Sequence, residues 1–288
     1  MKSLLFLGLI LLSFTTTSSA DQKWASFAKL TNSHQGQSAP GLSAVKEYLK
    51  QFGYLSTKSA TFDNKFDATF HSALLTYQKF FNLKNSGVLD ATTVNQMMEP
   101  RCGMPDIVTE NTTANGRNLY AVGGNPWPPG SKLKYYFTST GTTIRKRHVA
   151  RIIRGAFNRW SNVANVLFKR VFIEKETDIV IGFFSGDHGD GSPFDGQFGV
   201  LAHAFYPQNG RSHFDSDEIW APNLRFLART TGSVDLLTIA IHEFGHNLGL
   251  RHSDVQNAIM WPSVQLQTRK ATLDADDIEG IQFLYGPN

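Results

Sequence analysis

The sequence predicts an α+β protein in two parts, a small helical unit followed by a larger domain of strands and helices. Before residue 100, apolar residues recur at helical spacing. Between residues 105 and 130 the composition turns to Asn, Thr, Gly and Pro. Beyond 130, short β-prone runs alternate with amphipathic segments. At 288 residues, with 41% hydrophobic and 12% aromatic content, the chain is long enough for one large domain or two modest ones with packed cores.

The first twenty residues have the layout of a secretory signal: a basic start at Lys2, an apolar run from Leu4 to Phe14, and small residues ending Ser18-Ser19-Ala20. The precursor is expected to begin near Asp21 and to be secreted and released, because no other apolar span of about twenty residues follows. Leu42, Val45, Leu49 and Phe52 predict a first helix. Phe70, Leu74, Leu75, Tyr77, Phe80 and Phe81 predict a second, and Asp90 caps a third over Ala91–Met98. The following stretch holds Pro126, Pro128 and Pro129, and carries at Asn111-Thr112-Thr113 the one acceptable N-glycosylation sequon.

Leu133 to Phe137 then reads as a strand, and Val149, Ile152, Ile153, Ala156, Phe157 and Trp160 form one helix face. Strands are expected at Val166–Ile173, Asp178–Phe184 and Leu201–Phe205, and helices at Leu236–Leu248 and Asp274–Leu284. Arg145, Lys146, Arg147, Arg151 and Arg154 sit mostly off the apolar face and read as a solvated helix surface rather than a polyanion site. The net charge is only +4, so nucleic acid is not an expected partner.

The segment His242-Glu243-Phe244-Gly245-His246-Asn247-Leu248-Gly249-Leu250-Arg251-His252 lies on a predicted helix. His242 and His246, at i and i+4, present two imidazoles from one face to one metal. Gly249 tolerates the left-handed backbone that ends a helix and lets His252 swing back as a third ligand. Three neutral imidazoles leave a fourth tetrahedral position for water, the open geometry of a catalytic zinc. Glu243 is placed to take a proton from that water and deliver it to the leaving amine. A second group comprises His188, Asp190, His203 and His213. Its four side chains could close a structural zinc site, and Asp195, Asp215 and Glu218 offer hard oxygens suited to calcium. The rival reading is a solvated acidic loop with incidental histidines.

Cys102 is the only cysteine, so a secreted chain has a thiol with no partner to pair with. In Pro100-Arg101-Cys102-Gly103-Met104-Pro105-Asp106 the sulfur could occupy the fourth zinc position, with Arg101 and Asp106 pairing to shape the loop. An isolated cysteine is otherwise more often buried and inert.

H-E-x-x-H-x-x-G-x-x-H followed by a methionine turn is the metzincin signature. With Ser253, Ala258-Ile259-Met260-Trp261-Pro262 and the segment around Cys102, the chain resembles the matrix metalloproteinases (matrixins), most of all compact plant-type members lacking a hemopexin-like domain. The resemblance implies a signal peptide (1–20), a helical prodomain with a cysteine switch (21–117), and a catalytic domain (118–288) with a mixed twisted sheet and three helices. It implies catalytic zinc on His242, His246 and His252, displaced from water by Cys102 in the zymogen, with Glu243 as base and Met260 as the floor. Structural zinc falls to His188, Asp190, His203 and His213. Calcium falls to Asp195, Gly196, Phe198, Val200, Asp215 and Glu218, while Arg211 stands where a further acidic ligand is expected, which weakens a second calcium site at Asp178. The resemblance also implies a monomer that cleaves extracellular proteins, collagen among them, after activation by another protease or by self-cleavage. Two other classes remain: a carbohydrate- or peptidoglycan-binding module in the N-terminal unit, and an inactive metal-stabilised binding protein.

Overall fold

The computed structural model describes residues 26–56, 61–108, 123–139 and 141–288. The expected signal segment 1–20, the sequon at Asn111 and the boundary at 117/118 lie outside the described residues. Helix α1 (Leu42–Gln51) buries Leu42, Val45, Tyr48 and Leu49 along one stripe. Helices α2 (Ala68–Phe80) and α3 (Ala91–Met98) are each opened by an aspartate: Asp67 accepts the Phe70 N–H and Asp90 the Thr93 N–H. Each such cap is worth about 1 kcal/mol. The three expected helices are thus present within two residues at each end, and Phe27, Leu42, Leu49, Phe70 and Tyr77 close their core.

The second part is built on a six-stranded sheet of β1 (Arg101–Cys102), β2 (Lys132–Phe137), β3 (Leu167–Arg170), β4 (Ile179–Phe184), β5 (Val200–Ala204) and β6 (Arg211–Asp215). The order is β1-β5-β6-β4-β2-β3, parallel throughout except for the antiparallel β5–β6 pair. A small parallel pair, β7 (Trp220–Ala221) and β8 (Val234–Asp235), stands apart. Helices α4 (Lys146–Ser161), α5 (Leu224–Arg229), α6 (Leu236–Asn247) and α7 (Ala275–Tyr285) complete the domain. Beside the three helices expected there, α5 is a fourth, one and a half turns long, opened by Asn223.

The departures from the sequence expectation are clearest at β3 and β6. β3 ends at Arg170 rather than Ile173, because the chain turns into a 3₁₀ turn at Glu174–Glu176. β6 was not anticipated as a strand. Ser212 to Asp215 are buried on both faces, which removes the alternation that marks a half-exposed strand.

Helix α4 packs on α6. The Trp160 indole N–H donates to the Ile241 carbonyl at 2.9 Å, and Phe157 stacks on Phe244 with ring centroids 3.9 Å apart. Burying an aromatic ring of this size contributes about 1.5–3 kcal/mol. Gly245 makes room for this packing, since a Cβ there would lie 2.3 Å from the Met260 sulfur and 3.1 Å from the Trp160 ring, and the Met260 side chain would have to shift. The two parts of the chain share more than a boundary. β1 adds to the edge of the sheet, and Phe194, Val200 and Trp261 of the second domain belong to the apolar core of the helical unit.

Candidate functional site

Helix α6 is held at its start by Asp235, which accepts from the Thr238 N–H and hydroxyl and is gripped by the forked Arg269 guanidinium at 2.9 and 2.6 Å. It stops at Asn247, and Gly249 with φ +101° turns the chain as expected. His242 and His246 project from one face, and His252 returns to meet them. The Met260 turn is tied beneath by Asp277, whose carboxylate accepts the Ile259 and Met260 N–H groups at 2.7 and 3.0 Å.

Each imidazole is oriented through Nδ1. His242 donates to the Ile259 carbonyl (2.8 Å), His246 to the Leu250 carbonyl (2.7 Å), and His252 faces the Asp106 carboxylate (2.6 Å). With Nδ1 protonated, every Nε2 carries a bare lone pair. These three lone pairs converge: His246 Nε2 and His242 Nε2 each lie 3.2 Å from His252 Nε2, and Cys102 Sγ lies 3.5 Å from His246 Nε2. A tetrahedral zinc at ordinary bond lengths needs edges of about 3.3 Å between nitrogens and about 3.6 Å between nitrogen and sulfur. The four donors therefore fit a zinc ion, and without a cation their lone pairs repel.

Electrostatics agree with that fit. Burial holds His242 and His246 well below the usual histidine range, reinforced by their neighbouring imidazoles, so both are neutral ligands. Burial pushes the Cys102 thiol well up, and the adjacent Glu243 adds to it, so the sulfur becomes a thiolate only through a metal's own charge. Both Glu243 carboxylate oxygens are buried without a hydrogen-bond partner among the described residues, and burial pushes the group up to about 8. A carboxylate so placed needs a water, a proton or a ligand to complete it.

The second predicted cluster also assembles. Asp190 Oδ2 lies 3.0 Å from His188 Nε2, 2.7 Å from His203 Nε2 and 2.7 Å from His213 Nδ1. His188 Nδ1 is spent on the Gly186 carbonyl, so its Nε2 lone pair faces a carboxylate oxygen, again an arrangement that calls for a cation between them. Burial lowers His213 to about 4. Nearby, Glu218 accepts the Phe198 N–H at 2.5 Å and Asp195 the Val200 N–H at 2.9 Å. Among the described residues, Asp215 and Glu218 each keep one buried oxygen without a hydrogen-bond partner, and burial raises them to about 7 and about 8.

Residues 126–286 match the family model described as Matrixin, and residues 38–97 match a putative peptidoglycan binding domain. The chain belongs to the matrixin family. It is 43% identical to metalloendoproteinase 5-MMP of Arabidopsis thaliana, over 92% of this chain and 76% of that protein. It is also 41% identical to metalloendoproteinase 1 of Glycine max, over 90% and 87%. With the interstitial collagenase of Sus scrofa it shares 38% identity, over 85% of this chain and 49% of the other. This matrixin is accordingly a zinc-dependent metalloendopeptidase.

In this matrixin, residues 100–103 lie between β5 and the segment after Met260. Arg101 N–H donates to the Gly199 carbonyl and Gly103 N–H to Ala202. On the other side Cys102 N–H donates to Pro262 and Val264 N–H to Pro100. The expected Arg101–Asp106 pair forms at 2.5 Å, fully buried, and the guanidinium lies 3.5 Å over the Phe52 ring. Asp106 also accepts from the Tyr54 hydroxyl at 2.7 Å. Three participants went unseen in the sequence: Asp106 as the partner of His252, Asp277 as the anchor of the Met260 turn, and Asn247. The Asn247 side chain donates to the Phe205 and Arg211 carbonyls and accepts from the Ser212 hydroxyl, locking β6 to α6. Only for Asp277 was a local signal present, as the fourth residue of the Asp274 capping box.

Proposed function

We propose that this matrixin is a secreted endopeptidase made as a latent precursor, with a signal peptide at 1–20, a prodomain at 21–117 and a catalytic domain at 118–288. The observation that carries the reading is Cys102 Sγ seated among the Nε2 atoms of His242, His246 and His252, with Glu243 beside it. A zinc ion held by the three histidines supplies the Lewis acidity that makes water nucleophilic and polarises a peptide carbonyl. Glu243 accepts the proton of the attacking water and delivers it to the leaving amine; its burial directly after His242 suits both transfers. Cys102 excludes water from that position in the precursor, and the Arg101–Asp106 pair holds the loop that carries it.

His188, Asp190, His203 and His213 are assigned to structural zinc, and the oxygens of Asp195, Asp215 and Glu218, with the carbonyls of Gly196, Phe198 and Val200, to calcium. Supporting the second assignment, Asp215 and Glu218 are buried acids with unsatisfied oxygens, which a divalent cation would complete. Asp178 is already engaged by the Lys134 N–H at 2.7 Å. The substrates are extracellular proteins; the likeness to a collagenase supports matrix proteins as candidates, and another protease or self-cleavage removes the prodomain. The cleft beside Glu243 is lined by Thr238, Ile239, Ile259, Val264 and the stem of Lys270, and accepts an apolar side chain after the scissile bond. The N-terminal unit acts as a lid rather than a glycan-binding module, since its Cys102 end is built into the cleft.

The test is Glu243→Ala in the activated enzyme, with metal analysis beside hydrolysis of a quenched peptide. The expected result is an unchanged zinc content and a loss of at least about a hundredfold in kcat. Near wild-type turnover overturns the assignment of Glu243.

A further inference from the structure

Between Ser131 and Glu176 the chain carries eleven Lys and Arg residues against two acids, Glu174 and Glu176, a local net charge of +9 within a protein of +4. The remainder is therefore acidic by five charges, and the excess of basic residues belongs to one part of the fold. All eleven side chains are exposed. Among the described residues none of them enters an ion pair, whereas Lys46, Arg101 and Arg269 each grip a carboxylate.

Their placement works against local stability. Helix α4 opens with Arg145-Lys146-Arg147 and has no acidic residue in its first turn, although the positive end of a helix dipole disfavours cations. Arg147, Arg151 and Arg154 then follow at four- and three-residue spacing, on the side turned away from Val149, Ile153, Phe157 and Trp160. The stripe continues onto the sheet edge. Burial raises the Tyr135 hydroxyl, with the charges of Arg170 of β3 and Arg154 of α4 opposing it, and Arg170 lies 4.8 Å over the Phe137 ring and 4.9 Å over Phe172. On the opposite sheet face Lys134 and Lys169 are register partners, two like charges side by side at the outermost strand pair. Within this field Phe172 and Ile173 stand 77% and 60% exposed.

We propose that the α4 stripe and the β2–β3 edge form a docking surface for an acidic polysaccharide. Unpaired cations that repel one another and oppose a helix dipole are offset by a polyanion, and arginine forks match carboxylates and sulfates two oxygens at a time. The charges wrap around a strand edge onto both sheet faces, which fits a flexible chain better than a planar bilayer. Exposed Phe172 offers an apolar face to a sugar ring. Choosing polysaccharide among polyanions rests on the secreted location proposed above. The surface lies on the side of α4 away from α6, so it anchors the protease without entering the cleft.

The experiment measures retention of the full chain on immobilised polygalacturonate, dextran sulfate and neutral dextran, with duplex DNA and phosphatidylserine vesicles as competitors. Binding to at least one acidic polysaccharide is expected, falling at least about tenfold between 50 and 200 mM salt; the support retaining the chain to higher salt identifies carboxylate or sulfate as the preferred group. Arg147→Glu/Arg151→Glu/Arg154→Glu is expected to lose at least tenfold in affinity, and Lys134→Glu/Lys169→Glu likewise. Both should melt no lower than the wild type and, once the N-terminal unit is removed, should show wild-type hydrolysis of a short peptide. That last measurement separates failure of this surface from failure of the proteolytic reading. Undiminished binding by both variants, equal retention on neutral dextran, or tighter binding of DNA or vesicles than of either polysaccharide overturns the proposal.

Discussion

The two histidine clusters are built from nearly the same parts and differ in where the fourth donor comes from. Around Asp190 all four donors fall between residues 188 and 213, on one loop and the antiparallel β5–β6 pair. Around His252 three donors fall between 242 and 252, and the fourth, Cys102, arrives from 140 residues upstream on a strand added to the sheet edge. A donor set drawn from one hairpin closes when the domain folds and has no route to opening. A set completed by a remote segment can lose one member by a single backbone cut. On the proposed assignments, the difference between a structural and a switchable metal site is here one of chain connectivity rather than ligand chemistry.

The comparison can be broken in four places. The largest effect is expected from His213→Ala, which removes a donor from the closed cluster. Structural zinc contributes on the order of 10 kcal/mol or more to such sites, so native mass spectrometry should find one zinc ion fewer and the domain should unfold at much lower temperature; two retained zinc ions would remove His213 from the site. Next is Cys102→Ser, which should make the precursor hydrolyse a quenched peptide from time zero, because a hydroxyl is a far poorer zinc ligand than a thiolate. A silent, uncleaved Cys102→Ser precursor would mean that the N-terminal unit inhibits by cover alone.

A weaker perturbation is Asp106→Asn. It leaves the buried Arg101 guanidinium without its counter-charge, at a cost of about 3–5 kcal/mol, and the precursor should leak activity while Cys102 is still present; full latency would show that Phe52 and Tyr48 suffice to hold Arg101. The smallest effect is expected from Lys46→Met in the helical unit. Lys46 holds Asp63 below the ordinary carboxylate range, and Asp67 too, against that group's partial burial. Depressed carboxyl groups contribute stability that is complete above about pH 4 and is lost as pH falls through their folded values. The difference in melting temperature between wild type and variant should therefore be largest near neutrality and vanish in acid. A difference that grows on acidification would reverse the sign assigned to the pair.

Legibility followed the same division. The convergence of His242 and His246 was readable because a 3.6-residue period makes i and i+4 neighbours, and Gly249 announced the turn that brings His252 back. The three helices of the N-terminal unit, two of them capped by aspartate, were readable for the same local reason. β6 was not, because a strand buried on both faces loses its alternation, and its polar residues are explained only by Asn247 and the Asp190 cluster. The link from Asp106 to His252 spans 146 positions and leaves no periodic trace. The basic surface was half visible: the stripe on α4 could be seen, but its continuation onto Lys134, Lys169 and Arg170 depends on strand pairing, which a linear reading cannot supply.

Trp261 follows the buried Met260 directly, and its ring lies against Phe80 and Phe81 of the helical unit, at 6.3 and 5.1 Å between centroids. Phe194 and Val200 are covered by the same core. If the helical unit departs as proposed, the domain left behind would turn this greasy seam toward water near Glu243. Removing the cover would then also create an adhesive face, with an indole at the rim of the cleft to meet the first polypeptide.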